Sequence, residues 1–145
     1  MKALTLTQPW ATLVILGIKK WETRGWCPPP DSRTGRIAIH AAKGWTADDR
    51  EFADWLYESG TLPTARADLP LGAILGTVRL DGLIRTNPEL VRRHITPLEY
   101  TLGDYSPGRY AWELGDPQPF PEPILARGML GLWTWAPAAA GSGAE

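Results

Sequence analysis

The spacing of apolar positions predicts a strand, a short helix and a second strand within the first 26 residues. Lys2 to Leu6 alternates weakly, as a half-buried strand does. Trp10 to Leu16 carries a helical apolar face, with Thr7 as a cap, Pro9 in the first turn and Gly17 as the left-handed stop. Alternation returns over Lys20 to Trp26, which puts Lys20, Glu22 and Arg24 on one face and Trp21 and Thr23 on the other. The following CPPPDSRTG run is a loop, because its prolines cannot join a central ladder.

The pattern continues as a mixture of elements. Arg36 to Ala42 reads as a strand, and Thr46 to Ser59 as a helix opened by a Thr46–Asp49 capping box and stopped by Gly60. Ala73 to Leu83 is a long strand. Asn87-Pro88 and Thr96-Pro97 each start a short helix, with Glu99 three residues after Thr96. Arg109 to Leu114 is a strand, DPQPFPEP an extended polyproline-like link, and Leu130 to Trp135 the last strand. Strands at irregular spacing with short helices between them predict an α+β fold on a small curved sheet or barrel, not a βαβ series. Gly72, Gly76, Gly82, Gly128 and Gly131 fall in or beside strands, where closing a small barrel demands sharp bends.

Length and composition narrow the class. A chain of 145 residues with 43% hydrophobic and 21% charged positions is one ordinary globular domain. We expect it to span residues 1–136, followed by a disordered low-complexity tail over 137–145. No apolar run approaches the roughly 20 residues that span a bilayer, and the N-terminus lacks the pattern of a signal peptide. A single cysteine, Cys27, excludes an intrachain disulfide framework and fits a reducing cytoplasm.

A net charge of −1 argues against a generic nucleic-acid binder, but the distribution is uneven. Residues 1–43 hold seven Lys and Arg against two Asp and Glu, so the positive charge gathers in the first third of the chain. Eight tryptophans mean a core rich in indoles, and the same rings are what stack on nucleobases.

Candidate chemistry is concentrated in GIKKWETR, which holds Gly17, Lys19, Glu22 and Arg24. Two histidines far apart and one cysteine make no zinc site, and no phosphate-binding glycine loop or nucleophile elbow is legible, so the sequence calls for no metal or cofactor. If the cluster lines a groove, Lys19 and Arg24 bind phosphate, and Glu22 accepts from a base amine or imino group. His40 and Lys43 on the next strand are candidate neighbours. The alternative is that Glu22 and Arg24 pair with each other and merely tie strands together.

The run ALTLTQPWATLVILGIKKWETRGW resembles the opening of ASCH domains (activating signal cointegrator homology). GRIAIHAAK, AILGTVRLDGL, RYAWEL and PEPILARGMLGLW continue that resemblance in order, over about residues 2–135. It implies a PUA-like small β-barrel of about five to seven strands with flanking short helices. It also implies a cleft beside the barrel for RNA or a modified base, in which the motif residues Gly17, Lys19, Glu22 and Arg24 lie, with Gln8 on the helix that forms it and Trp10 or Trp21 as a stacking face; His40, Lys43, Ser106 and Arg109 complete the candidate binding set. DNA is a further candidate partner, and a membrane is not.

An enzymatic branch of the resemblance, a metal-independent amidohydrolase or ribonuclease, would make Lys19 and Glu22 catalytic. The amidohydrolase relatives place a threonine where this chain has Glu22, with Thr23 beside it, and Glu89 lies in the region of their third residue. A ribonuclease would draw its hydroxyl from Ser106 or Tyr105. Three functions follow: an RNA- or nucleotide-binding module, an enzyme on RNA or modified nucleosides, and a protein–protein module supported by near-neutral charge and surface aromatics.

Overall fold

The computed structural model describes residues 1–33 and 35–136; the tail expected over 137–145 lies outside the described residues. Six strands form one mixed sheet: β1 (Lys2–Leu6), β2 (Trp21–Arg24), β3 (Arg36–Ala41), β4 (Ala73–Arg85), β5 (Tyr110–Leu125) and β6 (Leu132–Thr134). Their order is β2-β5-β4-β3-β1-β6. β1 and β3 are parallel, and the other neighbours are antiparallel. The α+β expectation and the strand number hold. The barrel stops short of closure, because β2 and β6 end the order without pairing to each other.

Curvature comes from β4 and β5, whose register shifts between Ile74 and Gly76, Thr77 and Arg79, and Leu80 and Gly82. Two of the three shifts end at glycines that the sequence marked as bends. The two faces of the sheet follow strand alternation. Leu4 and Leu6 of β1 join Ile37 and Ile39 of β3, Val78 and Trp112 in the main core. Ala3 and Ala38, one residue out of phase, pack with Ile74, Trp133 and Trp135 on the other face.

Four helices flank the sheet: α1 (Trp10–Ile15), α2 (Ala47–Glu58), α3 (Pro88–His94) and α4 (Pro97–Thr101). Residues Ala11 to Ile15 of α1 are all buried, between the main core and a second cluster that α2 completes with Ala53 and Leu56. The α2 capping box forms as expected, with Thr46 Oγ1 accepting from the Asp49 amide at 3.1 Å and the Asp49 carboxylate from the Thr46 amide at 3.4 Å.

Two local expectations fail for identifiable reasons. Thr7 does not cap α1; the Gln8 side-chain oxygen accepts from the Thr12 amide at 3.1 Å, and the Gln8 amide group donates to Thr12 Oγ1 and to the Pro70 carbonyl. DPQPFPEP is not a link but the second half of β5, paired to β4 through Gln118 and Pro119. Pro117 and Pro119 are two apart, so their missing donors fall on the same side of the strand. β2 pairs only with Tyr110–Glu113, which leaves that side without a partner strand, and an edge accepts proline.

Candidate functional site

α1 ends on Gly17, whose φ of +76° suits glycine, and a Cβ there would meet Pro117 Cγ at 3.3 Å. The amides of Ile18 and Lys19 both donate to the Leu13 carbonyl at 3.0 Å, which turns the chain tightly into β2. Lys19 is thereby delivered into the interior with only 2% of its surface exposed. Its ammonium donates to the Trp21 carbonyl and lies 3.4 Å from Glu22 Oε1. The other Glu22 oxygen lies 2.9 Å from Arg24 Nε, and Arg24 reaches on to the Thr5 carbonyl at 3.0 Å. Lysine, carboxylate and guanidinium thus form one continuous polar chain, as burial of charge requires.

That chain is the floor of a cleft of about 580 Å³ between β2, the end of β1, α2 and the turn after α4. One wall is aromatic: Trp10 and Phe52 stack with centroids 5.7 Å apart, and Trp10 donates its indole N–H to the Leu102 carbonyl at 3.0 Å. Arg109 stands on another side, donating to the Thr23 carbonyl at 3.1 Å and lying 3.5 Å from Asp104. Asp104 accepts from the Ser106 amide and hydroxyl, which hold its carboxyl below the usual range.

Of the residues singled out in the sequence, Trp10, Lys19, Glu22, Arg24 and Arg109 converge on this cleft, and Thr23 lines it as well. The others go elsewhere. Gln8 is fully buried as the strut of α1. Trp21 packs on the far side of β2 with Ile95, Tyr105 and Ala111. His40 and Lys43 line a different cavity, and Ser106 reaches the cleft only through Asp104.

The hydroxyl and carboxylate suggested for catalysis are also displaced. The Tyr105 ring packs among apolar side chains, its hydroxyl is buried without a hydrogen-bond partner, and desolvation, then Glu99 and Glu22, push its pKa up. Glu89 is exposed on α3 and pairs with Arg93 at 2.9 Å.

Glu99, Phe52 and Asp104, the last beside Arg109, are residues that sequence reasoning missed. Glu99 stands at the N3 position of α4, where it reads as half of a capping box. Thr96 Oγ1 does accept the Glu99 amide, but the Glu99 carboxylate turns inward and accepts the Lys20 amide at 2.5 Å. It fastens the start of β2, next to Lys19, and desolvation raises its pKa above the usual carboxyl value. Phe52 sits on the amphipathic face of α2, where a site aromatic and a core aromatic have the same spacing.

Comparison with known proteins agrees with this architecture. The chain superposes on the crystal structure of ASCH from Zymomonas mobilis with a TM-score of 0.54 at 21% identity, covering 86% of this chain and 72% of that one. Two mutant structures of the Zymomonas mobilis protein give TM-scores of 0.53 at 21% and 20% identity, covering 86% of this chain and 72% and 74% of theirs. No curated protein matches the sequence. The family model of the ASCH domain matches residues 4–123, which include the motif, the floor and most of the sheet, and the chain belongs to the ASCH domain family.

Proposed function

We propose that the cleft binds a nucleotide unit of RNA. The observation that carries this is the convergence, in one space of about 580 Å³, of an aromatic wall, two guanidinium groups and two carboxylates, Glu22 on the floor and Asp104 beside Arg109. A nucleobase offers a π-face for Trp10 and Phe52. Its amine or imino edge donates to an acceptor such as Glu22, and its phosphate takes Arg24 and Arg109. The Lys19–Glu22–Arg24 chain fixes the acceptor and the donor relative to each other before a ligand arrives, so little ordering is left for binding. Pairing within the protein and recognition of a ligand are therefore not alternatives here. The ties between strands are also the floor of the site.

Titration of the intrinsic tryptophan fluorescence with ribonucleoside monophosphates and short RNA oligonucleotides tests this reading. Binding should weaken as salt is raised from about 50 to 200 mM, and Phe52→Ala should cost about 1–3 kcal/mol per stacked base. Arg24→Ala should lower the affinity of oligonucleotides and flatten their salt dependence. Affinity unaltered by both substitutions would refute the assignment.

A hydrolase reading would require Lys19 and Glu22 to act on a substrate. Both Glu22 oxygens face cations of the protein, and the Lys19 ammonium is already engaged by the Trp21 carbonyl and Glu22, which favours recognition over chemistry. Turnover of RNA or acylated nucleosides that Glu22→Gln abolishes would put the hydrolase in its place.

A further inference from the structure

A second cavity, of about 920 Å³, lies one residue away from the cleft. Thr5 is the shared wall. Its carbonyl accepts from Arg24 in the cleft, and its side chain, on the opposite face of β1 from Leu4 and Leu6, borders the second cavity.

The floor there is rigid. His40 Nε2 lies 2.7 Å from the Ala126 carbonyl and must donate to it, and Nδ1 shares a hydrogen bond with Thr5 Oγ1 at 3.1 Å. Thr5 Oγ1 in turn accepts from the Trp133 indole at 3.0 Å. Every polar atom of this relay is satisfied within the protein, so His40 is a strut of the floor. Gly128 closes over it so tightly that a Cβ would stand 2.6 Å from His40 Cε1.

The rim differs from the floor. Lys43 and Arg127 line it, no carboxylate does, and among the described residues neither cation has an ion-pair or hydrogen-bond partner. Around them lie Leu125, Met129 and Leu130, exposed by 84%, 60% and 97%. Unpartnered cations beside apolar side chains suit a partner that is anionic along its backbone and flat and apolar on its bases.

We infer that this cavity takes the next nucleotide of a single strand whose first nucleotide occupies the cleft. The inference rests on the binding role proposed for the cleft and specifies its ligand as a strand, not a free nucleoside. Lys43 and Arg127 hold phosphate, Met129 and Leu130 cover a base, and the strand passes over Thr5.

The test uses uridine and adenosine monophosphates and the matching RNA homo-oligomers of two to six nucleotides, with the full chain and with Lys43→Ala/Arg127→Ala. For the wild type, affinity should rise between one nucleotide and the short oligomers. The double variant should bind monophosphates as the wild type does and bind oligomers roughly tenfold more weakly, with a salt slope shallower by about 1.4. Both positions are exposed, so near-ultraviolet circular dichroism should be unchanged. Oligomer affinity equal to monophosphate affinity, or equal in the two proteins, would overturn the second site and leave the cleft standing. No binding of any probe by the wild type would overturn both.

Discussion

In the cleft, every cation meets a protein oxygen: Lys19 and Arg24 share Glu22, and Arg109 reaches Asp104 and the Thr23 carbonyl. Across Thr5, Lys43 and Arg127 stand at an apolar rim with no such partner among the described residues. Burial accounts for the difference. A lysine exposed by 2% must be neutralised where it sits, whereas a rim lysine is solvated by water and free to exchange that water for phosphate. The cleft therefore spends much of its charge on its own shape and is suited to discrimination. The second cavity keeps its charge for whatever arrives and is suited to affinity.

The comparison breaks first at Glu22. Replacing it with alanine strands the buried Lys19 and should destabilise the fold by about 3 kcal/mol in urea unfolding. Lys43→Ala and Arg127→Ala should each stay within about 0.5 kcal/mol of the wild type in the same measurement. Equal effects at the two places would erase the distinction between paired and free charge.

Gly128→Ala sharpens it from the other side. The added methyl would collide with His40 and must move the 126–131 segment, at about 1–3 kcal/mol of stability. Oligonucleotide affinity should fall with it while monophosphate affinity holds, because no residue of that segment lines the cleft.

Glu99 gives the smallest effect and concerns the support of the cleft. Its carboxyl has a raised pKa in the folded state, so the folded state binds the proton more tightly than the unfolded chain does. The resulting stability is fully present below the unfolded value of about 4.5 and is lost as pH rises through the folded value. Glu99→Gln should flatten that decline in a pH series of thermal melts and leave the slope elsewhere unchanged. A mutant curve parallel to the wild type throughout would exclude Glu99 as its source.

How much of this was legible follows from what each signal encodes. Caps and stops are local, so the α2 capping box, the Asn87 and Thr96 caps and the Gly17 turn stand where the chain predicts them. The prolines of β5 misled because proline excludes a central position, not an edge, and only the short reach of β2 makes that stretch an edge. Glu99 was hidden for a related reason. A glutamate three residues after a threonine serves its own helix unless another strand offers a donor nearby, and the Lys20 amide does.

The sequence by itself determined the α+β class, the strand inventory apart from the second half of β5, and the place of the charged motif at the exit of α1. Hydrophobic period and turn chemistry are properties of neighbours along the chain. Tertiary structure alone decided that Phe52 and Asp104 join that motif and Arg109 in a cleft. It also sent His40 and Lys43 to a separate cavity behind Thr5. A strand residue's carbonyl lies in the plane of the sheet and its side chain stands out from it, so Thr5, with its carbonyl on Arg24 and its hydroxyl on His40, divides what the linear sequence had grouped as a single site.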